Sequence, residues 1–573
     1  MLILLMALLG QDLQEVDDLG LRVARGFRVT AFSDHALAND LYCMTFDARG
    51  KVVVSSQHWI KRLHDDDGDG RADRAEELAQ TGNGAMGLCF VGNDLYASVD
   101  GGVRLFRDAD GDGRFDGPSE LLFKLSGGEH GVHAIRKGPD GRMYVIAGND
   151  AKVTKEHVTT ETSPVRDPEA GALIRFSADG REREILAHGF RNPYDFDFNA
   201  AGDIFTYDSD CERDYFLPWY TPTRLYHVAI GMHHGWRLPG WMRSYARRDY
   251  QADTVPMLVA VGRGSPTGVV CYRHAAFPER YRGGVFYADW TFGKVYFTPL
   301  VPEGASYKPG LVEVFLQPTG TEGFAPTDLA VGPDGALFVS IGGRRTRGAV
   351  YRVAPEKPST TAYSDPPLPV KPEPDPAHPE LRVRQAAALA GKTGGESPQA
   401  RLTAALAAVW RGERPVEAVL AALEDASTPD LRLQAVRLLQ LCLGDTNLAK
   451  PAVEVHSDYA PVLPPDPAML PAVRKLFPSG DERLDVEVSR LLAMLEDEDP
   501  ATVVKTAAFI TATSHPTRDV HVLIVLSRLK GAWPDGLAAR VAGALLDLGR
   551  KLDGLEMRPK QVWGARLSEL VGI

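Results

Sequence analysis

The sequence predicts a multidomain protein: an all-β six-bladed propeller followed by an all-α, HEAT-like helical domain. Three observations carry that expectation. Strand-like segments behind turn signals recur six times between residues 20 and 353. A proline-rich stretch then occupies residues 354–379, and from 380 to 573 the chain becomes rich in Ala, Leu and Arg at helical spacing. The 573 residues suit two to four domains at roughly 100–200 residues each. With 44% hydrophobic and 24% charged residues the composition is ordinary for globular proteins,. Lys and Arg number 64 against 76 Asp and Glu, a formal net charge of −12. That balance argues against nucleic-acid or anionic-membrane partners, whose sequence-independent attraction requires basic patches.

Each element follows from local pattern. Residues 1–12 open with the apolar run Met1–Gly10, too short for the ~20 residues of a membrane span and suited to the core of a secretory signal. Export to the periplasm or the extracellular space is therefore expected, and no later stretch reaches spanning length. Within 20–353 the repeated segments are Lys51–Ser55, Asp94–Ser98, Arg142–Ile146, Asp203–Tyr207, Val285–Asp289 and Ala336–Ser340. Turns such as Gly138-Pro-Asp-Gly141 and Gly332-Pro-Asp-Gly335 precede them, at intervals of 43 to 82 residues. A blade of four short strands takes about 40–50 residues, so the longer intervals hold inserted loops. Radial closure also removes exposed sheet edges, which a flat sheet would carry.

The prolines of 354–379, including Pro366-Pro-Leu-Pro369 and Pro372-Glu-Pro-Asp-Pro376, read as a semi-rigid spacer,. Helical periodicity then marks 380–390, 401–410, 416–423, 430–443, 484–495, 501–510, 520–529 and 537–552,. Leu431, Ala435, Leu438 and Leu439 line one face of their helix. Paired helices with short turns suggest a HEAT-like array, with an irregular bundle as the alternative. This region is expected to fold separately, to offer a surface to a protein partner and to contribute no catalytic group. The five dispersed cysteines (Cys43, Cys89, Cys211, Cys271, Cys442) include no CxxC or CxxCH and read as buried free thiols,.

The densest local signal is acidic. Asp65, Asp67, Asp69, Asp73 and Glu76 occupy positions 1, 3, 5, 9 and 12 of a loop with glycine at position 6. Calcium requires six to eight hard oxygens, and only glycine permits the sharp turn that converges them. A second copy holds Asp108, Asp110, Asp112, Asp116 and Glu120, the last one place beyond the ideal spacing. The copies are offset by one blade interval, so equivalent corners of adjacent blades are expected to bind calcium, in a structural role.

A second constellation is distributed. Glu129, His130 and His133 precede one blade strand, and His188, Arg191 and Asn192 precede another. Asp208, Asp210 and Glu212 follow a strand end, and His227, His233 and His234 come later. Loops at like positions in a radial fold converge at one mouth of the central channel, where polar groups form a site. Histidine there suits a general base, because its unperturbed pKa lies near neutrality. Arginine suits an oxyanion or a carboxylate. The candidate catalytic residues are His130 and Arg191, and the candidate cofactor-binding residues are Asn192, Asp208, Asp210 and His234.

The order of these motifs across residues 20–353 resembles the glucose/sorbosone dehydrogenase propellers, and more closely the secreted planctomycete-type proteins that join such a propeller to HEAT-like helices. The resemblance implies a six-bladed, calcium-containing enzyme that uses pyrroloquinoline quinone (PQQ) to oxidise an aldose by hydride transfer. By motif position it makes His130 the base and puts Arg191 and Asn192 near the quinone, with His133 as an additional candidate. It also places a lysine near Thr291-Phe292, where this chain has only Lys294, and arginines near Ala325 and Thr327, where it has none. Arg344, Arg345 and Arg347 are the neighbouring cations. Two other functions remain open: a non-catalytic propeller whose mouth recognises a small molecule, glycan or protein, and a metal-dependent hydrolase or lyase built on Asp208, Asp210, Glu212 and the His227/His233/His234 group.

Overall fold

The structure is a computed structural model that describes residues 12–238, 245–444, 455–555 and 562–572. The expected signal segment, residues 1–12, lies outside the described residues save for Asp12. The chain divides into two compact units: Met1–Asp210, Pro222–His234 and Pro256–Val370 form the first, and Cys211–Thr221, Gly235–Val255 and Lys371–Ile573 the second.

The first unit is a six-bladed propeller. Blade 1 holds Cys43–Phe46, Val52–Ser56, Trp59–His64 and Arg74–Gln80, and blade 2 holds Ala85–Val91, Asp94–Val99, Gly102–Phe106 and Glu120–Lys124. Blade 3 comprises Val132–Lys137, Met143–Ala147, Gly171–Phe176 and Arg183–Phe190. Blade 4 comprises Phe196–Phe198, Ile204–Asp208, Thr223–His227 and Val259–Gly262. Blade 5 runs through Pro266–Cys271, Val285–Asp289, Lys294–Thr298 and Glu313–Pro318, and Leu21–Ala24 and Leu13–Val16 extend its outer edge. Blade 6 joins Pro326–Val331, Leu337–Ile341 and Ala349–Pro355 to the early strand Phe27–Ser33, which closes the ring. Each segment marked in the sequence is the second strand of its blade. These strands are mostly apolar, as in Val52-Val-Val54, because blades stack face to face and both faces are buried. The Gly-Pro-Asp-Gly turns work through their last residue: Gly141 and Gly335 take φ of +81° and +80°, a conformation natural to glycine,.

Hydrogen bonds stitch the inner strands around the axis. Ala85 N donates to Ser55 Oγ (2.9 Å), Ser98 Oγ to the His133 carbonyl (2.5 Å) and Arg136 to Asp195 (2.7 Å). Val269 N donates to Asp195 (2.8 Å), Thr267 Oγ1 to the Pro326 carbonyl (2.7 Å) and Met44 N to Asp328 (2.8 Å). Every junction between neighbouring blades thus carries a bond from a side chain.

The second unit contains α1 (Leu381–Leu389), α2 (Pro398–Trp410), α3 (Val416–Glu424), α4 (Pro429–Cys442), α5 (Leu470–Lys475), α6 (Glu482–Met494), α7 (Pro500–Ala507), α8 (Pro516–Arg528), α9 (Leu537–Asp553) and α10 (Val562–Val571). Several begin with a capping side chain followed by proline: Ser397, Thr428 and Asp499 accept from the backbone N–H of Ala400, Leu431 and Ala501,. Helices α2, α4, α6 and α8 stack in succession, and α1, α3, α5 and α7 each pack on the next of these, giving a two-layer array.

Residues 211–221 and 235–255 read as propeller loops in the sequence, yet Asp214, Arg248, Tyr250 and Asp253 find partners in the helical region. Arg566 of α10 pairs with Asp214 (3.1 Å), and Arg437 of α4 grips Asp253 with two bonds of 2.8 Å. Arg248 pairs with Asp458 (2.6 Å), Tyr250 donates to Glu487 of α6 (2.8 Å), and Trp219 stacks on Tyr245. The proline-rich stretch is not wholly free either. It begins as blade strand up to Pro355, and Arg282 then donates to Ser359 Oγ (2.7 Å) and the Ala362 carbonyl (3.1 Å). Among the described residues no helix is long and apolar enough to cross a membrane.

Candidate active site

In a four-stranded antiparallel blade, the links from strand 2 to 3 and from strand 4 to the next blade share one face. That face collects Glu129 and His130 ahead of blade 3, Asn149 after its second strand, and Arg191 and Asn192 ahead of blade 4. Trp290 and Arg344, after the second strands of blades 5 and 6, reach the same face.

These loops are knitted together by backbone. Asn149 N donates to the Arg191 carbonyl (2.7 Å), Asp150 N to the His130 carbonyl (3.0 Å) and Asn192 Nδ2 to the Glu129 carbonyl (3.0 Å). Gly148 lies where a Cβ would come within 2.5 Å of Asn192 Oδ1 and 2.6 Å of the His130 carbonyl, so only glycine permits this approach. His130 donates Nδ1–H to Asn149 Oδ1 (2.7 Å), which fixes the tautomer and leaves Nε2 as the basic nitrogen,. Burial, and then the charge of Arg191, hold its pKa below the usual histidine value, so the ring is neutral near pH 7. Asn149 Nδ2 and Asn192 Oδ1 are buried without a hydrogen-bond partner among the described residues. Such orphaned atoms beside a neutral imidazole suit a polar ligand.

Of the remaining candidates, His133, Asp208, Asp210, His227 and His234 are all buried. His133 is fully buried, donates Nδ1–H to the Pro193 carbonyl (3.0 Å), packs on Tyr194 and is pushed down to about 4 by burial. The Tyr194 hydroxyl crosses the shaft to the Tyr42 carbonyl (2.8 Å), flooring the mouth. Asp208 has no exposure; it accepts from the backbone of Arg191 (3.0 Å) and Asn192 (2.7 Å) and meets Arg224 (3.3 Å). It therefore shapes the Arg191–Asn192 loop from behind. Asp210 is buried as well. His234 is enclosed against Phe190 and bonded to the His188 carbonyl (3.1 Å), and His227 ends its strand on the opposite face beside Ser306 (2.8 Å). The structure does not gather Asp208, Asp210, Glu212 and these histidines into a metal cluster among the described residues.

The acidic loops link strands 3 and 4 of blades 1 and 2, on the opposite face. They fold alike: Asp65 accepts from Gly68 and Gly70 as Asp108 does from Gly111 and Gly113. Asp67, Asp69 and Asp73 correspond to Asp110, Asp112 and Asp116 in the same way. Ligand oxygens of Asp65, Asp67 and Asp73, and of Asp108, Asp110 and Asp112, lie within 4.8 Å of one another. Glu76 and Glu120 lie at the end of the loops, each within the fourth strand of its blade. Glu76 is engaged by His64 (3.0 Å) and Arg62 (3.3 Å), and Glu120 faces Arg107 (3.8 Å).

Asn149 and Trp290 carry no motif, and the pairing of Glu129 with Arg344 has no sequence signal; spatial convergence reveals them. The positions at Thr291, Phe292, Ala325 and Thr327 remain uncharged, with Thr327 buried and bonded to Ser340.

Among solved structures the chain is similar to a putative oxidoreductase (glucose dehydrogenase) from Thermus thermophilus, at 18% identity and a TM-score of 0.42 over 57% of this chain and 100% of that one. It is also similar to the holo pyranose dehydrogenase PQQ domain from Coprinopsis cinerea, at 15% identity and 0.45 over 58% and 97%. A third is a calcium structure of a Trichoderma reesei carbohydrate-active enzyme of family AA12, at 14% identity and 0.43 over 58% and 96%. No curated protein matches the chain. Residues 18–340, more than half of the chain, match the family described as "Domain of unknown function (DUF7133)", and the protein belongs to that family.

Proposed function

We propose that the mouth binds a sugar or related alcohol and oxidises a hydroxyl-bearing carbon. His130 Nε2 takes the hydroxyl proton, the C–H bond breaks with its electron pair, and a carbonyl forms. A bound quinone of the PQQ type would supply the two-electron acceptor for the departing hydride. The residues present fit such a group on one side: Arg191 is a cation for a carboxylate, and Asn149 Nδ2 and Asn192 Oδ1 are polar atoms awaiting partners. The observation that carries the reading is the His130–Asn149 bond, which presents a neutral base of fixed tautomer at the mouth. The acidic loops would hold calcium remote from the chemistry, and the apolar segment Met1–Gly10 supports export.

A dye-linked assay over an aldose panel, with and without PQQ, tests the reading. His130→Ala should lower turnover ~10²–10⁴-fold, with the melting temperature unchanged. Equal inertness of wild type and variant would remove the enzyme reading. The uncharged positions at Thr291, Phe292, Ala325 and Thr327 favour a second reading, a ligand-binding propeller without turnover, which predicts sugar affinity with no dye reduction.

A further inference from the structure

One ion pair crosses the mouth. Glu129 precedes blade 3 and Arg344 follows the second strand of blade 6, and in a ring of six those blades face each other across the axis. The Arg344 guanidinium bonds the Glu129 carboxylate and stands 5.1 Å over the Trp290 ring. Their side chains are 61% and 63% exposed, so the pair is of the weak kind that exchanges readily. The loop that carries Arg344 is nonetheless costly. Arg344 and Arg345 take φ of 54° and 64° in succession, in the left-handed region that side chains avoid and that persists chiefly at functional sites. Asp40 Oδ1 holds the loop by accepting from Arg345 N (2.9 Å), and Gly342 N is tied to the Ala325 carbonyl (3.0 Å). The opposite partner is built differently. Glu129 has its carbonyl fixed by Asn192 and lies among Gly127, Gly128 and Gly131, while its exposed carboxylate is engaged by Arg344. A strained loop thus presents a cation to a loosely held carboxylate one residue before the base.

We propose that Arg344 recognises a ligand carboxylate and that Glu129 is its resident stand-in, so that the mouth takes sugar acids (aldonates or uronates) in preference to neutral sugars. This rests on the mouth being the sugar site proposed above. On binding, one ion pair replaces another: the ligand carboxylate takes the forked donors of Arg344, and the Glu129 carboxylate swings into water.

Calorimetric titration of the full chain with gluconate, glucuronate and glucose tests this. The acids should bind ~10–100-fold more tightly than glucose, the value of a charge-assisted hydrogen bond, and the margin should shrink as salt rises. Arg344→Gln should bring acid affinity down to that for glucose, and Glu129→Gln should raise acid affinity severalfold by removing the competitor. An unchanged preference in Arg344→Gln overturns the proposal, as does a loss in Glu129→Gln equal to that in Arg344→Gln. Folded protein that binds none of the three also overturns it. Repeating the titration with PQQ present separates the sources of the carboxylate: retained acid binding supports a substrate carboxylate, and loss of it assigns Arg344 to the quinone instead. Acid binding without dye reduction keeps this inference and sinks the dehydrogenase reading, whereas turnover of neutral sugars with no acid preference does the reverse.

Discussion

His130 and His133 stand three residues apart on one blade and meet opposite conditions. His130 is partly open, with Arg191 opposing its protonation and the Asn149 hydrogen bond favouring it. Arg191→Gln should therefore raise the His130 pKa and Asn149→Ala should lower it, which NMR titration of the imidazole can read without any turnover. Shifts in the same direction in both variants would contradict the geometry. His133, held near 4 by burial, acts on stability. Between that value and the unfolded value of about 6.5, the unfolded chain carries a proton that the folded chain lacks. Stability is then lost as pH falls through this window, at about 1.4 kcal/mol per pH unit. His133→Asn, which keeps a donor for the Pro193 carbonyl, should flatten that limb in denaturant titrations across pH. At this scale the sequence exposes His130, Arg191 and Asn192 because they abut a blade strand and its turn. It hides Asn149 and the partner of Arg344, since their meaning lies in which loops share a face.

Elements were largely legible because each has a local cause. A turn glycine followed by an apolar run marks every second strand, and Ser-Pro, Thr-Pro and Asp-Pro steps start α2, α4 and α7. The short α5 has only six residues, too few to show a period. The acidic loops illustrate both sides. Their first nine positions predict the fold of the turn, whereas the ion pairs of Glu76 with Arg62 and His64 and of Glu120 with Arg107 have no local signal. If each loop holds calcium through its aspartates, a hundredfold excess over Kd adds about 2.7 kcal/mol to the folded state. Chelation should lower the melting temperature of the propeller transition, and Asp65→Asn with Asp108→Asn should abolish that response. An identical melting temperature with and without chelator would show that the loops stand on their own hydrogen bonds. The effect should reach both blades, because Arg49 and Arg62 of blade 1 donate to the Gly111 and Gly113 carbonyls of the second loop (2.7 and 3.0 Å).

On the scale of the whole molecule, the boundary between units cannot be placed at one point of the chain. Two segments from within the propeller sequence supply Asp214, Trp219, Arg248 and Asp253 to the helical unit, and their partners lie 184 to 352 residues further on. No local pattern announces a partner at such separation, so the proline-rich stretch alone suggested a clean division. Expression of residues 13–370 should yield aggregating protein, because Trp219, Tyr245 and the charged groups around them lose their cover. Replacing 211–221 and 235–255 with short Gly/Ser links in that truncated chain should restore a soluble, cooperatively melting propeller. A monodisperse product from the unaltered truncation would show instead that these segments need no helices. The same arrangement sets a timetable during synthesis. The propeller strands are complete once Pro355 has left the ribosome, but Asp214 must wait for Arg566. About 200 further residues separate Pro355 from that arginine, on the order of 10–40 s at typical elongation rates. Through that interval the nascent chain carries bare aromatic and charged loops on a ring already able to close, which makes it a natural client for a holding chaperone.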